Sequence, residues 1–554
     1  MVIQLDRFIF FAHFFRCVVS GITLFLGSYS EGFSSSESKR VVVVYNLNDS
    51  ESKEIAEFYA EKRSIPKGNL IGLATSSAET VTIRDYVDTI HNPLFNELLN
   101  RDWITEVKRS GRDQFGRERL SASLVNISYL VTIKGIPLKF EDDLTLLEPE
   151  ALAKLPKSFQ VNKGAVDSEL ALIAGPANLS MTACVANPLF EGVGVGSPDA
   201  KRIVRVSRLD GPSSDSIKRV IERTILAEQT GLRGRAYFDF GGGPHAKGNK
   251  WLKEAAEQAS AAFFDMQIEQ SKRLIDERDR FDAPVIYMGW YRPWAYGPWR
   301  DRRWSVPAGA IGFHLHSYSG QSVRDSSKIW LAAFIEKGYS VTFGNVYEPY
   351  LDYTHRPQIV LQALFAGKTF GEAISLATPV FSWMGVALGD PLYRPFGRSL
   401  SEELEVEGFS EGRGYLYLRE ANRLRESGQG SAVVDVLKTG FMEEPSLALA
   451  LATAEAFAEI GKPEQGVEAL KIIRFINTFP FDEFVLVSLI ADFLAEHGEI
   501  ELALEVYEKL INQKRIPKNL NILLLKKGSQ VALKAGDMDL RSQWDLNAIR
   551  LKKP

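Results

Sequence analysis

The sequence predicts an α/β protein with a mainly parallel sheet and flanking helices, followed by an all-α array. Two observations carry that fold class. Between residues 40 and 397, short β-branched runs alternate with amphipathic helical patterns. Beyond residue 412 the chain turns helical, and glycines recur at 428, 461, 498 and 536, at spacings of 33, 37 and 38 residues. A chain of 554 residues exceeds what one core organises, so several domains are expected. The boundaries fall at 1–36 (signal peptide), 40–397 (α/β domain), 398–412 (acidic, glycine-containing linker) and 413–554 (helical repeats).

Composition narrows the class. Apolar residues make up 45% and charged residues 25%, ordinary for a globular protein. With 66 Lys and Arg against 70 Asp and Glu, nothing points to nucleic acid or an anionic membrane surface. The two cysteines, Cys17 and Cys184, allow no disulfide framework and no zinc ribbon. The apolar run Cys17–Leu26, preceded by Arg16 and followed by small residues at Ser28–Ser30 and Ser34–Ser36, has the length of an export signal core. Arg16 interrupts it as a spanning anchor. The expectation is a cleaved signal, a periplasmic or extracellular location, and no membrane span in the mature chain.

The elements follow in order. Arg40–Tyr45 is a buried strand, and Ser50–Arg63 an amphipathic helix with Ile55, Phe58 and Tyr59 on one side. Asn69–Leu73 is a strand, Thr82–Asn100 a helix, and Trp103–Ser121 a charged surface insertion. Ile127–Ile133 is a strong strand, whereas Glu141–Gln160 is an acidic insertion. Arg202–Val206 is a strand backed by a helix over Ser213–Thr230. Gly234–Asp239 is a strand before a long helix, Lys250–Arg280. Pro284–Met288, the run Gly309–Gly320 and Tyr339–Phe343 supply further strands, with a helix near Lys328–Lys337.

Polar clusters sit just after these strands: Asn46, Asn48 and Asp49; Lys134–Pro137; Arg208 and Asp210; Asp239 with Gly241–Gly243; Trp290; His314, His316 and Ser317; Asn345 and Glu348. In parallel sheets the carboxyl ends of strands share one edge where ligand crevices form. The clusters are therefore expected to converge on a single rim.

Gly309–Gly320 holds the densest chemistry. Strand alternation would point His314 and His316 the same way and Ser317 the other. The two imidazoles could be metal ligands, acid/base groups or a hydrogen-bonded structural pair. A metal would need a third ligand from Asp210, Asp239, Glu348 or Asp352. Ser317 beside histidines suggests a nucleophile with a base, outside any Gly-x-Ser-x-Gly elbow. Asp239–Pro244 matches neither phosphate-loop spacing and reads as a strand-to-helix turn. Arg208 and Asp210 could clamp a carboxylate or bridge each other. Asp167 and Glu169 open a short helical run, where carboxylates also serve as caps. Trp290, Trp294, Trp299 and Trp304 crowd one loop, either as packing or as a gripping surface.

Several motifs fall in order: Val44–Asp49, Gly135–Lys139, Val166–Leu170, Arg208–Pro212, Ala236–Asp239, Tyr287–Tyr291, Gly309–Ser317, Gly344–Tyr350 and Gly389–Phe396. Together they resemble an uncharacterised bacterial family found in species that carry the exosortase protein-sorting system, over residues 40–397. A more distant resemblance is to gingipain-like peptidases of the caspase-type fold, through Tyr287–Trp290, Ser317–Gly320 and Gly389–Pro391. Trp290 stands where that resemblance implies a histidine, and Ser317 where it implies a cysteine. An indole is no base, so both members of the dyad are lost. Residues Leu486–Leu510 resemble a tetratricopeptide repeat, with small residues permitting close helix contact.

Two functions are carried forward. One is a binding or assembly factor linked to envelope protein sorting, with a protein partner on the C-terminal repeats. The other is a hydrolase, peptidase-like or metal-dependent, using His314, His316, Ser317 and Asp210, with Asn46, Asn48, Asp49, Asp167, Glu169, Arg208, Asp239, Trp290, Asn345 and Glu348 around it. No cofactor is specified.

Overall fold

The computed structural model describes residues 37–107, 111–118, 121–147, 149–175, 181–240 and 243–552. The expected export signal lies outside the described residues. In chain order the large sheet contains β1 (Val41–Asn46), β2 (Leu70–Leu73), β3 (Tyr129–Ile133), β4 (Arg205–Leu209) and β5 (Arg235–Asp239). It continues with β6 (Met266–Glu269), β7 (Pro284–Gly289), β8 (Ile311–His314), β9 (Val341–Asn345) and β10 (Gly385–Gly389). Across the sheet the order is β6-β5-β7-β8-β9-β10-β4-β3-β1-β2.

Neighbouring strands are parallel except at one junction. There β9 and β10 pair antiparallel, with Asn345 opposite Gly385 and Val341 opposite Gly389. Because β10 runs parallel to β4, the sheet is two parallel blocks of five strands pointing in opposite directions. The carboxyl ends of β1 to β4 lie on one edge and those of β5 to β9 on the other. The expected single rim is therefore two rims. The cause is β10, a short Gly-Val-Ala-Leu-Gly run that the alternation of strand and helix did not mark.

The first block is covered on both faces. Val41 and Val43 pack with Ile55 and Tyr59 of α1 (Ser50–Lys62). Val42 and Val44 pack with Ile90 and Leu94 of the helical run 83–100 on the opposite face. An unbroken valine run is what a doubly covered strand requires. α2 (Ser214–Thr230) lies beside α1. In the second block, Ile311 and Phe313 pack with α3 (Ala246–Ala261), α5 (Pro357–Phe365) and α6 (Phe370–Ala377). The other face meets α4 (Trp330–Lys337), where Gly312 makes room for Phe334: a Cβ there would stand 2.8 Å from its ring.

Three element expectations change. The helix expected over Lys250–Arg280 stops at Ala261, and edge strand β6 follows. β4 begins three residues later than expected, at Arg205. The charged stretch after Trp103 is not simply surface: Ile104–Val107 pairs with Ser121–Val125, and Arg117 within it is buried.

The C-terminal region is helical. α7 (Gly414–Glu426) packs with α8 (Gly430–Glu443), α9 (Leu447–Glu459) with α10 (Pro463–Leu470), α11 (Phe484–Glu496) with α12 (Ile500–Ile511), and α13 (Lys518–Ala535) with α14 (Met538–Lys552). Gly428, Gly461, Gly498 and Gly536 each separate the two helices of a pair with φ between +74° and +94°, the left-handed stop that glycine adopts without strain. These helices are fastened to the α/β body. The Tyr415 hydroxyl donates to Asp282 at 2.8 Å, Ser305 donates to Asp482 at 2.5 Å, and the Trp304 and Phe481 rings meet at 5.3 Å. Among the described residues no helix is long and apolar enough to cross a membrane.

Candidate functional site

The rim at the carboxyl ends of β5, β7, β8 and β9 gathers Asp239, Trp290, His314, His316, Ser317, Asn345 and Glu348. His314 is fully buried, and its ring stacks on Trp330 at 3.7 Å. The Arg292 backbone N–H donates to Nε2 at 2.9 Å, so that nitrogen carries no proton. The neutral ring therefore holds its proton on Nδ1, facing the Tyr287 hydroxyl at 3.1 Å. Burial pulls His314 well below the ordinary imidazole range, and His316 adds to the shift. Both nitrogens are committed, so His314 is the hydrogen-bonded structural member among the alternatives.

His316 differs. β8 ends at His314, so strand alternation does not extend to it, and its ring stands half-exposed, 4.7 Å from the ring of Tyr291. The Tyr318 N–H donates weakly to its Nδ1 at 3.4 Å. Burial lowers its pKa, while Glu348 acts in the opposite direction. The Ser317 hydroxyl has no hydrogen-bonding partner among the described residues, so no base is positioned on it. Asn345 is buried; its amide nitrogen donates to Thr354 at 2.8 Å.

Trp290 lies inside this rim rather than on it. Its indole N–H donates to Asn249 at 2.5 Å, and the ring occupies space that side chains at Gly243 and Gly248 would fill. A Cβ on Gly243 would fall 1.6 Å from the indole, which accounts for that glycine as a packing requirement. Of the neighbouring tryptophans, Trp299 and Trp304 are buried, leaving Trp294 exposed. Asp239 ends β5 fully buried. One carboxylate oxygen accepts the Ile275 N–H at 3.0 Å and the other has no partner. Burial pushes its pKa up to about 8, the Ile275 bond opposing this and Glu269 and Asp279 reinforcing it.

The opposite edge holds Asn46, Asn48, Asp49, Arg208 and Asp210, with Asp167 and Glu169 packed nearby. Arg208 uses all five of its N–H donors. Two go to Asp167 at 2.9 and 2.7 Å, one to Asp210 at 3.2 Å, and two to the carbonyls of Ile136 and Pro137 at 2.8 and 2.9 Å. This is a finished internal bridge with no donor left for a ligand. Asp167 and Glu169 are not caps: both are buried, and Glu169 pairs with Arg117. Asp49 is a cap, accepting from the N–H groups of Glu51 and Ser52. The Asn46 amide joins the carbonyls of Thr75 and Gly135 at 3.1 and 2.9 Å, and Asn48 reaches Thr75 at 3.1 Å. Asp352, offered as a metal ligand, instead pairs on the surface with Lys247. Among the described residues no three His, Cys, Asp or Glu side chains are grouped to hold a metal ion.

Sequence reasoning missed the role of Asp390 in the Gly-Asp-Pro motif. It is fully buried, accepts from Tyr59 at 2.7 Å and from Arg63, and so ties α1 to the end of β10. It also missed Arg205 and His355, which line a pocket where the two blocks meet. Neither sits in a motif with recognisable spacing.

These features define a mixed α/β protein with a large, mainly parallel sheet and a helical C-terminal region. No protein-family model matches the chain, and no curated protein matches it.

Proposed function

We propose that the chain is an exported binding and assembly factor linked to envelope protein sorting. In this reading the α/β part has caspase-like or related doubly wound topology, and the paired helices are tetratricopeptide-like repeats that engage a protein partner. The observation that carries it is the state of the expected catalytic set. His314 is neutral, buried and bonded at both nitrogens, and Asp210 sits on the other edge of the sheet, held by Arg208. A nucleophile needs a base within hydrogen-bond reach, and Ser317 has none among the described residues.

One observation favours the hydrolase: among the described residues Nε2 of His316 has no hydrogen-bonding partner, and the ring lies within the influence of Glu348. A fluorophosphonate probe separates the two readings, because it labels only activated serines. The expected outcome is no labelling of Ser317. Labelling that disappears in His316→Ala would establish the hydrolase instead. Metal analysis of the wild type beside His316→Ala tests the metal-dependent version in the same preparations.

A further inference from the structure

Exposed tyrosine and tryptophan side chains are confined to one place. Among the described residues they are Tyr291, Trp294, Tyr318 and Tyr350, each between 39% and 47% exposed. Tyr291 and Trp294 follow β7, Tyr318 follows β8 and Tyr350 follows β9, three strands that lie side by side and run parallel. Backbone hydrogen bonds hold the three loops together. The Leu315 N–H donates to the Gly289 carbonyl at 2.8 Å, Ala295 to Lys328 at 2.7 Å and Gly320 to Asn345 at 2.8 Å. With neighbouring strands about 4.8 Å apart, the loops cover roughly 10 Å of rim.

Neighbouring aromatic groups are committed inside the protein. The Tyr296 hydroxyl donates to the Ile275 carbonyl at 2.8 Å, and the Trp330 indole N–H to the Arg292 carbonyl at 2.9 Å. By contrast, the hydroxyls of Tyr291, Tyr318 and Tyr350 and the Trp294 N–H have no partner among the described residues. No Leu, Ile, Val or Met side chain is exposed on the three loops. Polar groups with unused capacity accompany the rings. The His316 ring stands 4.7 Å from that of Tyr291, and its Nδ1 accepts from the Tyr318 N–H, so the neutral ring carries its proton on Nε2. One Glu348 oxygen accepts the Tyr350 N–H at 3.1 Å, and the other has no partner among the described residues.

We propose that this rim binds an uncharged oligosaccharide of equatorially substituted pyranose rings, the four aromatic side chains stacking on sugar faces while Nε2–H of His316 and the Glu348 carboxylate bond hydroxyls. The chemistry selects this class. The face of an aromatic ring is electron-rich and attracts the polarised axial C–H groups of such a sugar. Sugar hydroxyls both donate and accept, which suits ring edges carrying O–H and N–H groups beside an imidazole and a carboxylate. Nucleic-acid bases also stack on aromatic rings, but along a positively charged groove, and here a carboxylate stands among the rings. A protein contact has a desolvated centre, which would bury the polar handle of every one of these rings. The width of the rim calls for linked sugars rather than a single one. This site lies on the α/β body and does not rest on the partner reading of the C-terminal helices.

The test is calorimetric titration of the full chain with cellotetraose and with chitotetraose, mannitol serving as a polyol that has no ring face. Saturable binding of at least one oligosaccharide is expected, changing less than twofold between low and high sodium chloride, with none for mannitol. Trp294→Leu keeps apolar bulk but removes the ring, and should lower affinity tenfold or more at unchanged circular dichroism. Trp294→Phe, which keeps a ring face, should stay within threefold of the wild type, and Tyr318→Ala should weaken binding independently. Absence of saturable binding of either oligosaccharide would overturn the proposal and leave the rings to a protein partner. Unchanged affinity in both Trp294→Leu and Tyr318→Ala would overturn it as well, as would equal binding of mannitol.

Discussion

Asp239 shows what a single buried carboxyl does to the balance between folded and unfolded chains. Its pKa stands at about 8, whereas an unfolded aspartate releases its proton near pH 4. Between those values the folded state binds the extra proton, so this residue erodes stability as pH rises from about 4 through 8. Asp239→Asn cannot ionise, and an amide keeps an oxygen for the Ile275 N–H. The variant is expected to match the wild type near pH 4 and to exceed it by several kcal/mol, on the order of 5, at pH 8. Urea melts at the two pH values check this, and a difference independent of pH would contradict the assignment. Trp290 carries a different lesson at the same scale. Its place just after a strand was legible in the sequence, but its role was not. Only the packing shows that Gly243 and Gly248 exist to admit its ring.

Among the elements, those with strong local signals were the legible ones. The α1 helix is legible in the spacing of Ile55, Phe58 and Tyr59, whereas Asp49, read from sequence as a rim residue, is its cap. The β1 strand came from four consecutive valines buried on both faces. Removing that cap should be measurable: Asp49→Ala leaves the Glu51 and Ser52 N–H groups unpaired and is expected to cost about 1 kcal/mol in denaturant melts. A cost below a few tenths would mean that solvent replaces the cap fully. β10 escaped notice because five residues bounded by glycines, Gly385–Gly389, carry no periodicity that separates a strand from a loop. β6 escaped because α3 and the charged residues beyond it read as one helical run; the break at Ala262–Asp265 has neither glycine nor proline to announce it. The candidate site suffered most. The polar residues at strand ends are legible, several of them, such as Asn46, Arg208, Asp239, His314 and Asn345, inside the strands themselves, but which edge each strand end faces depends on pairing direction, which local sequence does not encode.

For the whole molecule, the helical region and the α/β body are joined by specific polar and aromatic contacts. Asp282 is the best example. Burial works against its charge, yet Arg280 and Arg235 hold it well below the usual carboxylate range, and it accepts the Tyr415 hydroxyl from the first helix of the array. The body therefore covers part of the surface of the helical region, around Tyr415. The reversal of strand direction at the β9–β10 seam has an energetic consequence. Asp49, the cap that follows β1, and Asp239, the last residue of β5, belong to opposite blocks and share no hydrogen-bonding partner among the described residues. Perturbations at such separated positions add. The stability change of the Asp49→Ala, Asp239→Asn double variant should equal the sum of the single changes to within about 0.5 kcal/mol. A coupling energy above that would mean that the seam transmits strain from one edge to the other. Additivity would make the two edges thermodynamically independent, free to acquire ligands or substitutions one at a time without disturbing each other.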